Sequence, residues 1–375
     1  MQEILNEIQK RLNEIENRLN TQHVEHFQWA KTIYDNQQNI KKVIGIKDES
    51  LPFEPCYHKV VPLDSKEPEI YNKYGEKLKV FFLSDSYTAY SPYGSSRYFI
   101  YDRYNYGLKT HFYTYDEAFR TVGKPDRRFA SLNESRAILP QCFDNYLKNK
   151  EYIANNFDLV FSHDAEILNT FPNARYMPSC SYWYGRDVPP MHYGKNEKGE
   201  PVAHNAVGLL SEETHKYKSK NISILASPKQ MCPMHIIRQN LAWKCKKEGL
   251  ADTYGKFDGG PFVPIEVPFQ YYRYSIVVEN DVTPYYFTEK IGNCFASQTI
   301  PVYLGATKIH KFFNPDGIIT FKLEDCDHIE DILKQCTPEE YERRLPAIID
   351  NYHRILLYDN ASDILYNNYI RQYFE

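Results

Sequence analysis

Residues 272–305 read YRYSIVVENDVTPYYFTEKIGNCFASQTIPVYLG, and the order of patterns within this stretch predicts the fold. Two short apolar runs, 272–280 and 299–305, are rich in β-branched and aromatic residues, which is typical of buried parallel strands. Between them, Thr288 precedes charged residues, as at the start of a helix. Strand, helix and strand in this order predict a parallel α/β unit, because parallel neighbours need a crossover connection.

The same alternation continues on both sides of this unit. Further strands are predicted at 77–85, 129–135, 157–164, 174–183, 221–227, 251–256 and 317–322, and helices at 137–154, 234–248 and within 338–373. Strands that alternate with helices in both halves predict two Rossmann-like α/β domains that face each other across a cleft. In such sheets ligands bind beyond the carboxyl ends of the strands.

The chain is predicted to have five parts: a heptad helix at 1–21, an irregular linker at 22–75, α/β domains at 76–215 and 216–345, and C-terminal helices at 346–375. In the first part, Leu5, Ile8, Leu12, Ile15 and Leu19 are spaced like the seam of a coiled coil. Two heptads are too short for a stable isolated helix. We expect this helix to pair in a homo-oligomer; packing on the chain's own domain is the alternative.

Composition argues against several classes of protein. The 375 residues include 45 Lys plus Arg and 49 Asp plus Glu, so the net charge of −4 lacks the basic excess of a nucleic-acid-binding surface. No apolar run is long enough to span a membrane, and the N-terminus is unlike a signal peptide. These features predict a cytoplasmic protein with reduced cysteines, with peripheral contact to the inner face of a membrane as an option. Dinucleotide and P-loop motifs are absent, and no cofactor is predicted.

Polar residues cluster after the predicted strand ends of the second domain. A helix N-terminus offers unpaired amides and a partial positive charge, and nearby Lys and Arg side chains add full charges. Together these groups would bind a diphosphate without a metal ion; the plainer alternative is a capped helix with a solvated lysine. The residues concerned are Arg238, Glu279, Asn280, Thr288, Glu289 and Lys290.

Four ordered elements lie within residues 272–321: E-N at 279–280, Y-x-T-E-K at 286–290, I-P-V-Y-x-G at 300–305 and F-N-P at 313–315. Together they resemble the signature of the α1,3/4-fucosyltransferases, glycosyltransferase family 10, in a bacterial-type form. A weaker resemblance covers Arg238, the D-x-Y-G-K at 252–256 and the N-E-S at 133–135.

This resemblance implies a GT-B fold in which 216–345 binds a GDP-sugar and 76–215 binds a glycan acceptor. The implied reaction is the inverting, metal-independent transfer of L-fucose from GDP-β-L-fucose to an acceptor hydroxyl, in an α1,3-type linkage. Glu134 matches the family's proposed general base; its alternative is a turn residue paired with Arg136 or Arg128. The implied donor-binding residues are Arg238 and Lys290 at the phosphates, Tyr286 in the donor pocket, Glu289 at the ribose, and Lys256, Glu279, Asn280 and Thr288.

Two other functions stay open from the sequence. Phe287 and Cys294 depart from the family's usual residues, which leaves transfer of another GDP-linked deoxysugar or a heptose, in capsule or lipopolysaccharide synthesis, as an alternative. A non-catalytic carbohydrate-binding scaffold is the second. The D-x-D at 325–327 is predicted to begin a helix, with Asp327 as N-cap and Glu330 three residues later, and no metal site is predicted.

Overall fold

The computed structural model describes residues 78–83, 98–102, 105–186, 194–195, 201–202 and 210–373. The predicted heptad helix at 1–21 and linker at 22–75 lie outside these residues. The described chain is a mixed α/β structure with two parallel sheets, as the alternation of patterns predicted.

The first sheet has six parallel strands in the order β2-β1-β3-β4-β5-β6. Its strands are β1 (Leu78–Leu83), β2 (Phe99–Asp102), β3 (Thr110–Thr114), β4 (Arg127–Leu132), β5 (Leu159–Ser162) and β6 (Ala174–Tyr176). Helices α1 (Pro140–Lys148), α2 (Lys150–Asn156) and α3 (Ala165–Thr170) follow β4 and β5. A short antiparallel hairpin, β7 (Gly194–Lys195) and β8 (Pro201–Val202), comes next in the chain.

The second sheet has five parallel strands in the order β10-β9-β11-β12-β13. They are β9 (Lys220–Leu225), β10 (Asp252–Tyr254), β11 (Tyr272–Val278), β12 (Ile300–Leu304) and β13 (Ile319–Thr320). The helices are α4 (Pro233–Glu248), α5 (Glu289–Ala296), α6 (Ile329–Leu333), α7 (Pro338–Leu356) and α8 (Ala361–Leu365).

Local sequence explains where the helices next to the site begin and end. Helix α4 begins with Pro233, whose missing N–H costs nothing in the first turn, and ends at Gly249, which adopts a left-handed φ of 67°. Helix α5 begins after Thr288, whose hydroxyl accepts a hydrogen bond from the Lys290 N–H. Both helices therefore start at the carboxyl edge of the second sheet.

Helix α5 is also fixed to the chain that leaves the first sheet. The Asn293 side-chain oxygen accepts hydrogen bonds from the backbone N–H groups of Trp183 and Tyr184, at 2.7 and 3.0 Å. A Cβ at position 292 would clash with the Ser181 carbonyl oxygen, so Gly292 permits this close approach. These contacts hold the middle of α5 against the segment that follows β6 of the first sheet.

The C-terminal segment returns to the first sheet. Leu365 and Tyr366 are buried in a cluster with Phe112 and Phe161, and the Tyr366 ring stacks on Tyr98 with centroids 4.2 Å apart. The predicted division at 345–346 falls within α7, which runs unbroken through Pro346. Among the described residues, no helix combines the length and apolar character needed to cross a bilayer.

The prediction that Asp327 caps a helix is wrong. Residues Leu323–His328 form a short 3₁₀ helix, and α6 starts one residue later with His328 at its N-cap position. The Asp325 carboxylate instead accepts a hydrogen bond from the Lys322 N–H, at 2.7 Å. The local hydrogen bond between positions 322 and 325 thus starts the helical turn earlier than the sequence pattern suggested.

Candidate functional site

A cavity of about 620 Å³ lies where the carboxyl ends of strands from both sheets come together. This volume is within the range of small-molecule sites, roughly 300–1,000 Å³. Residues after β4 and β6 line one side, and residues after β9, β10 and β11 line the other. Its polar lining is Asn133, Glu134, Ser179, Ser181, Ser227, Lys229, His235, Arg238, Lys256, Asn280, Tyr286, Thr288, Glu289 and Lys290.

Glu134 follows the buried end of β4 and lines the cavity. Its Oε1 accepts two hydrogen bonds, from the Ser135 N–H at 2.8 Å and from the Tyr286 hydroxyl at 3.0 Å. The alternative that Glu134 pairs with Arg136 is wrong, because that guanidinium binds Asp164. Among the described residues, no ion pair joins Glu134 to Arg128 either. The carboxylate is therefore oriented by neutral donors.

Tyr286 and His163 pack beside this carboxylate. Tyr286 is 2 % exposed, and burial together with the Glu134 charge raises the pKa of its phenol well above the usual value. The phenol therefore stays protonated and donates. Its ring lies against the His163 imidazole, with centroids 4.8 Å apart, and His163 Nε2 is 3.0 Å from the Glu134 carbonyl oxygen. Because a carbonyl can only accept, Nε2 carries the imidazole proton.

Glu279 directly follows β11 and holds Thr288, the residue before α5, in place. Its side chain is fully buried, and its two oxygens accept hydrogen bonds from the Thr288 N–H at 2.9 Å and the Thr288 hydroxyl at 2.7 Å. The Lys290 ammonium lies 3.5 Å from Glu279 Oε2 and 3.3 Å from Glu289 Oε1. Burial opposes the charge of Lys290, but the two carboxylates raise its pKa. Lys290 is therefore a fixed cation on the cavity wall.

Arg238 is the second fixed cation of the cavity. Its Nε donates to the Val278 carbonyl at 2.8 Å, and its Nη2 donates to Asn280 Oδ1 at 2.9 Å. Only 7 % of the residue is exposed. Arg238, on α4, and Lys290, on α5, line the same cavity, and Arg238 is near enough for its charge to oppose that of Lys290.

His235 is a site residue that the sequence analysis missed. Its Nδ1 accepts a hydrogen bond from the Met231 N–H at 3.1 Å, and its Nε2 is 3.0 Å from Asn280 Oδ1, to which it donates. This arrangement joins the loop after β9 to the end of β11. It requires a neutral imidazole, because a protonated Nδ1 could no longer accept.

This requirement predicts a pH dependence of stability. Burial, with the charges of Arg238 and Lys290, lowers the pKa of His235 to about 4 from 6.5. Between these pH values the unfolded chain binds more protons, so stability falls as the pH is lowered through this window. From pH 7 to pH 5 we expect wild type to lose about 1–2 kcal/mol more unfolding free energy than His235→Gln, whose amide still donates but does not titrate. Urea unfolding at both pH values measures this, and identical losses would contradict it.

The far end of the cavity is formed by the loops after β9 and β10. Gly255 has a φ of 95°, and a Cβ there would clash with the Ala226 carbonyl oxygen, so only glycine allows the two loops to approach. Lys256 follows directly and lines the cavity. Apolar side chains complete this part of the wall, namely Leu225, Phe262, Val263 and Ile265.

The structure brings eight of the nine predicted site residues to one cavity. These are Glu134, Arg238, Lys256, Asn280, Tyr286, Thr288, Glu289 and Lys290. Glu279 is the ninth and lies behind the wall, where it holds Thr288. Phe287 and Cys294 are fully buried in the core and do not line this cavity. Their departure from the family pattern therefore gives no direct information about a bound sugar.

Asp325 and Asp327 lie outside this cavity. Within the described ranges of the chain, no group of three or more His, Cys, Asp or Glu side chains is arranged to hold a metal ion. Metal independence of any reaction here stays a prediction.

Comparison with known proteins gives distant structural similarities. One is to a crystal structure of an α1,3-fucosyltransferase with GDP, with a TM-score of 0.44 and 17 % identity over 84 % of this chain and 95 % of that chain. Another is to an α1,3-fucosyltransferase with GDP-fucose, with a TM-score of 0.43 and 17 % identity over 78 % and 86 %. No protein-family model and no curated protein sequence matches the chain.

Proposed function

We propose that this protein is an inverting glycosyltransferase that moves L-fucose from GDP-β-L-fucose to a hydroxyl of a glycan acceptor. The observation that carries the proposal is one cavity lined both by Glu134, which follows a strand of the first sheet, and by Arg238 and Lys290, on helices that follow strands of the second. The motif resemblance at 272–321 supports the nature of the donor. Direct displacement of a diphosphate needs a base for the acceptor hydroxyl and cations for the leaving group, and residues suited to both roles line this cavity.

In the proposed reaction the acceptor oxygen attacks the anomeric carbon of the donor sugar. Glu134 takes the proton of the acceptor hydroxyl as the new carbon–oxygen bond forms. The bond from the anomeric carbon to the diphosphate oxygen breaks at the same time, and its electron pair leaves with GDP. Attack from the opposite face converts the β-linked donor into an α-linked product.

Negative charge grows on the leaving diphosphate, and fixed positive groups stabilise it best. Arg238 and Lys290 supply two cationic groups, although the charge of Lys290 is partly balanced by Glu279 and Glu289. The start of α5 adds the partial charge of a helix N-terminus. Glu279 contributes indirectly, because its carboxylate holds both Thr288 and Lys290. These groups are held by the protein before the donor arrives, so little reorganisation is needed.

A panel of GDP-sugars, with and without glycan acceptors, tests the proposed function. We expect GDP-fucose to give the fastest release of GDP, with the sugar recovered on the acceptor. Preference for another GDP-deoxysugar or a GDP-heptose would replace the donor but keep the reaction. Glycan binding without consumption of any GDP-sugar would indicate a carbohydrate-binding scaffold instead. UDP-sugars serve as the control donors.

Chelation of divalent cations is expected to leave transfer unchanged. The cations proposed to stabilise the leaving group belong to the protein itself, and EDTA cannot remove them. Turnover measured before and after treatment with EDTA should agree within about twofold. Loss of turnover that Mn²⁺ or Mg²⁺ restores would contradict this prediction.

A further inference from the structure

The hydrogen bond between Tyr286 and Glu134 joins the two halves of the candidate site. The residues lie 152 positions apart, after β11 and β4 respectively, and the distance from the phenol oxygen to Glu134 Oε1 is 3.0 Å. The resemblance implied a different role for Tyr286, that of an aromatic wall for the donor. A buried phenol whose hydroxyl is directed at a carboxylate suggests that its hydrogen bond is part of the function.

We infer that Tyr286 is a positioning residue for Glu134, whose hydroxyl fixes the carboxylate so that Oε2 meets the acceptor hydroxyl. This inference rests on the proposed function. Oε1 receives both the Tyr286 hydroxyl and the Ser135 N–H, at 3.0 and 2.8 Å. Two donors on one oxygen stop the carboxylate from rotating, which leaves the other oxygen to take a proton.

His163 holds both partners of this hydrogen bond. Its ring packs on the Tyr286 ring at a centroid distance of 4.8 Å, and its Nε2–H donates to the Glu134 carbonyl oxygen at 3.0 Å. The residue is 2 % exposed. The phenol and the backbone of Glu134 are therefore set against one rigid side chain, which limits the geometries that the Tyr286–Glu134 pair can adopt.

This arrangement makes the alignment of the base depend on the second sheet. Catalysis by proton transfer needs the base within hydrogen-bond reach of the proton it removes. Tyr286 lies two residues before Thr288, the N-cap of α5, so the segment that leads to Lys290 also carries the group that holds the base. The two parts of the reaction centre are thus linked through one side chain.

Tyr286→Phe tests the inference, because it removes the hydroxyl and keeps the ring against His163. Because this hydrogen bond is made to a charged carboxylate, we expect its loss to lower kcat roughly tenfold to a hundredfold. The dissociation constant for GDP-fucose should stay within about twofold, since the inference assigns the hydroxyl to the base and not to the donor. Tyr285→Phe is the matched control: it deletes the same atom from the neighbouring buried tyrosine, which does not line the cavity.

A double-mutant cycle gives a second readout that needs no activity. Tyr286→Phe, Glu134→Ala and the double variant are unfolded in urea, and their coupling is expected to correspond to about tenfold or more in the unfolding equilibrium constant. Absence of coupling overturns the inference, as does weaker donor binding with unchanged kcat. Coupling in a protein that transfers no sugar would instead reject the proposed function and leave the Tyr286–Glu134 link standing.

Discussion

Glu134→Gln is expected to reduce sugar transfer by at least about a hundredfold, because general-base catalysis typically contributes 10²–10⁴-fold. Glutamine has the same shape as glutamate, and its carbonyl oxygen still accepts the hydrogen bonds from Ser135 and Tyr286. It cannot take the proton of the acceptor hydroxyl. The change therefore removes the proposed chemical step with little disturbance of the surrounding contacts.

The same variant should bind the donor almost normally. Glu134 lies on the first sheet, whereas the proposed phosphate contacts come from α4 and α5 on the second. Calorimetric titration with GDP-fucose should give dissociation constants for Glu134→Gln and wild type that agree within about twofold. Turnover should be measured on the same samples. Glu166→Gln serves as the control, because it removes a carboxylate on α3, which follows β5 of the first sheet, and this residue does not line the cavity. Turnover of Glu134→Gln within tenfold of wild type would exclude Glu134 as the base.

The second sheet could be predicted from the sequence because its central strands are apolar and the helices between them have clear ends. The predicted strands 272–280 and 299–305 agree with β11 and β12 to within two residues at each end, and α5 begins one residue after the predicted start at Thr288. The first sheet was only partly predicted. Strand β3 is fully buried yet reads THFYT, with polar residues at three of its five positions, and the apolar run of β2 is only three residues long.

One polar residue of β3, His111, has a side-chain partner close by in the same strand. His111 is fully buried, and its Nδ1 lies 2.8 Å from the Tyr113 hydroxyl, which in turn accepts a hydrogen bond from the Val122 N–H. Such a network satisfies polar groups that a hydrophobicity pattern assigns to the surface. The sequence does not reveal it, because the contacts depend on side-chain positions.

The candidate site was predictable as far as strand ends locate polar residues. It could not be predicted that Glu279 lies behind the cavity, because a strand end does not determine which side of the sheet edge a carboxylate faces. His235 was missed for a related reason: one of its partners, Asn280, is 45 positions away along the chain. Contacts of this range are made by the packed fold and leave no local pattern.

Arg238→Ala is expected to weaken GDP binding by roughly tenfold to more than a hundredfold. A charge-assisted hydrogen bond to phosphate is worth about 1.5–3 kcal/mol when it is lost from a cleft. Val278 and Asn280 already hold the guanidinium in place, so binding of GDP costs little further side-chain entropy. Lys247→Ala removes a cation from the exposed end of the same helix and should leave the affinity unchanged. Titration with GDP measures both.

Lys290 needs a paired design, since Lys290→Ala would leave Glu279 fully buried without its cation. Breaking a buried ion pair on one side typically costs about 3–5 kcal/mol, and the partial exposure of Lys290 lowers this cost. Lys290→Met combined with Glu279→Gln removes both charges and keeps similar volume, so the fold should persist. We expect this double variant, like Arg238→Ala, to bind GDP at least about tenfold more weakly than wild type.

Glu279→Gln alone separates the two effects within that double variant. It keeps the Lys290 ammonium in the cavity, and its amide oxygen can still accept the Thr288 N–H while its NH₂ group donates to the Thr288 hydroxyl oxygen. GDP affinity should therefore fall by less than in the double variant. Urea unfolding of each protein shows whether the fold is intact before affinities are compared. If Arg238→Ala and the double variant are both folded and bind GDP as wild type does, the diphosphate is held elsewhere. The presence of these two cations in one cavity would then be a structural feature of the sheet edge and not a binding site.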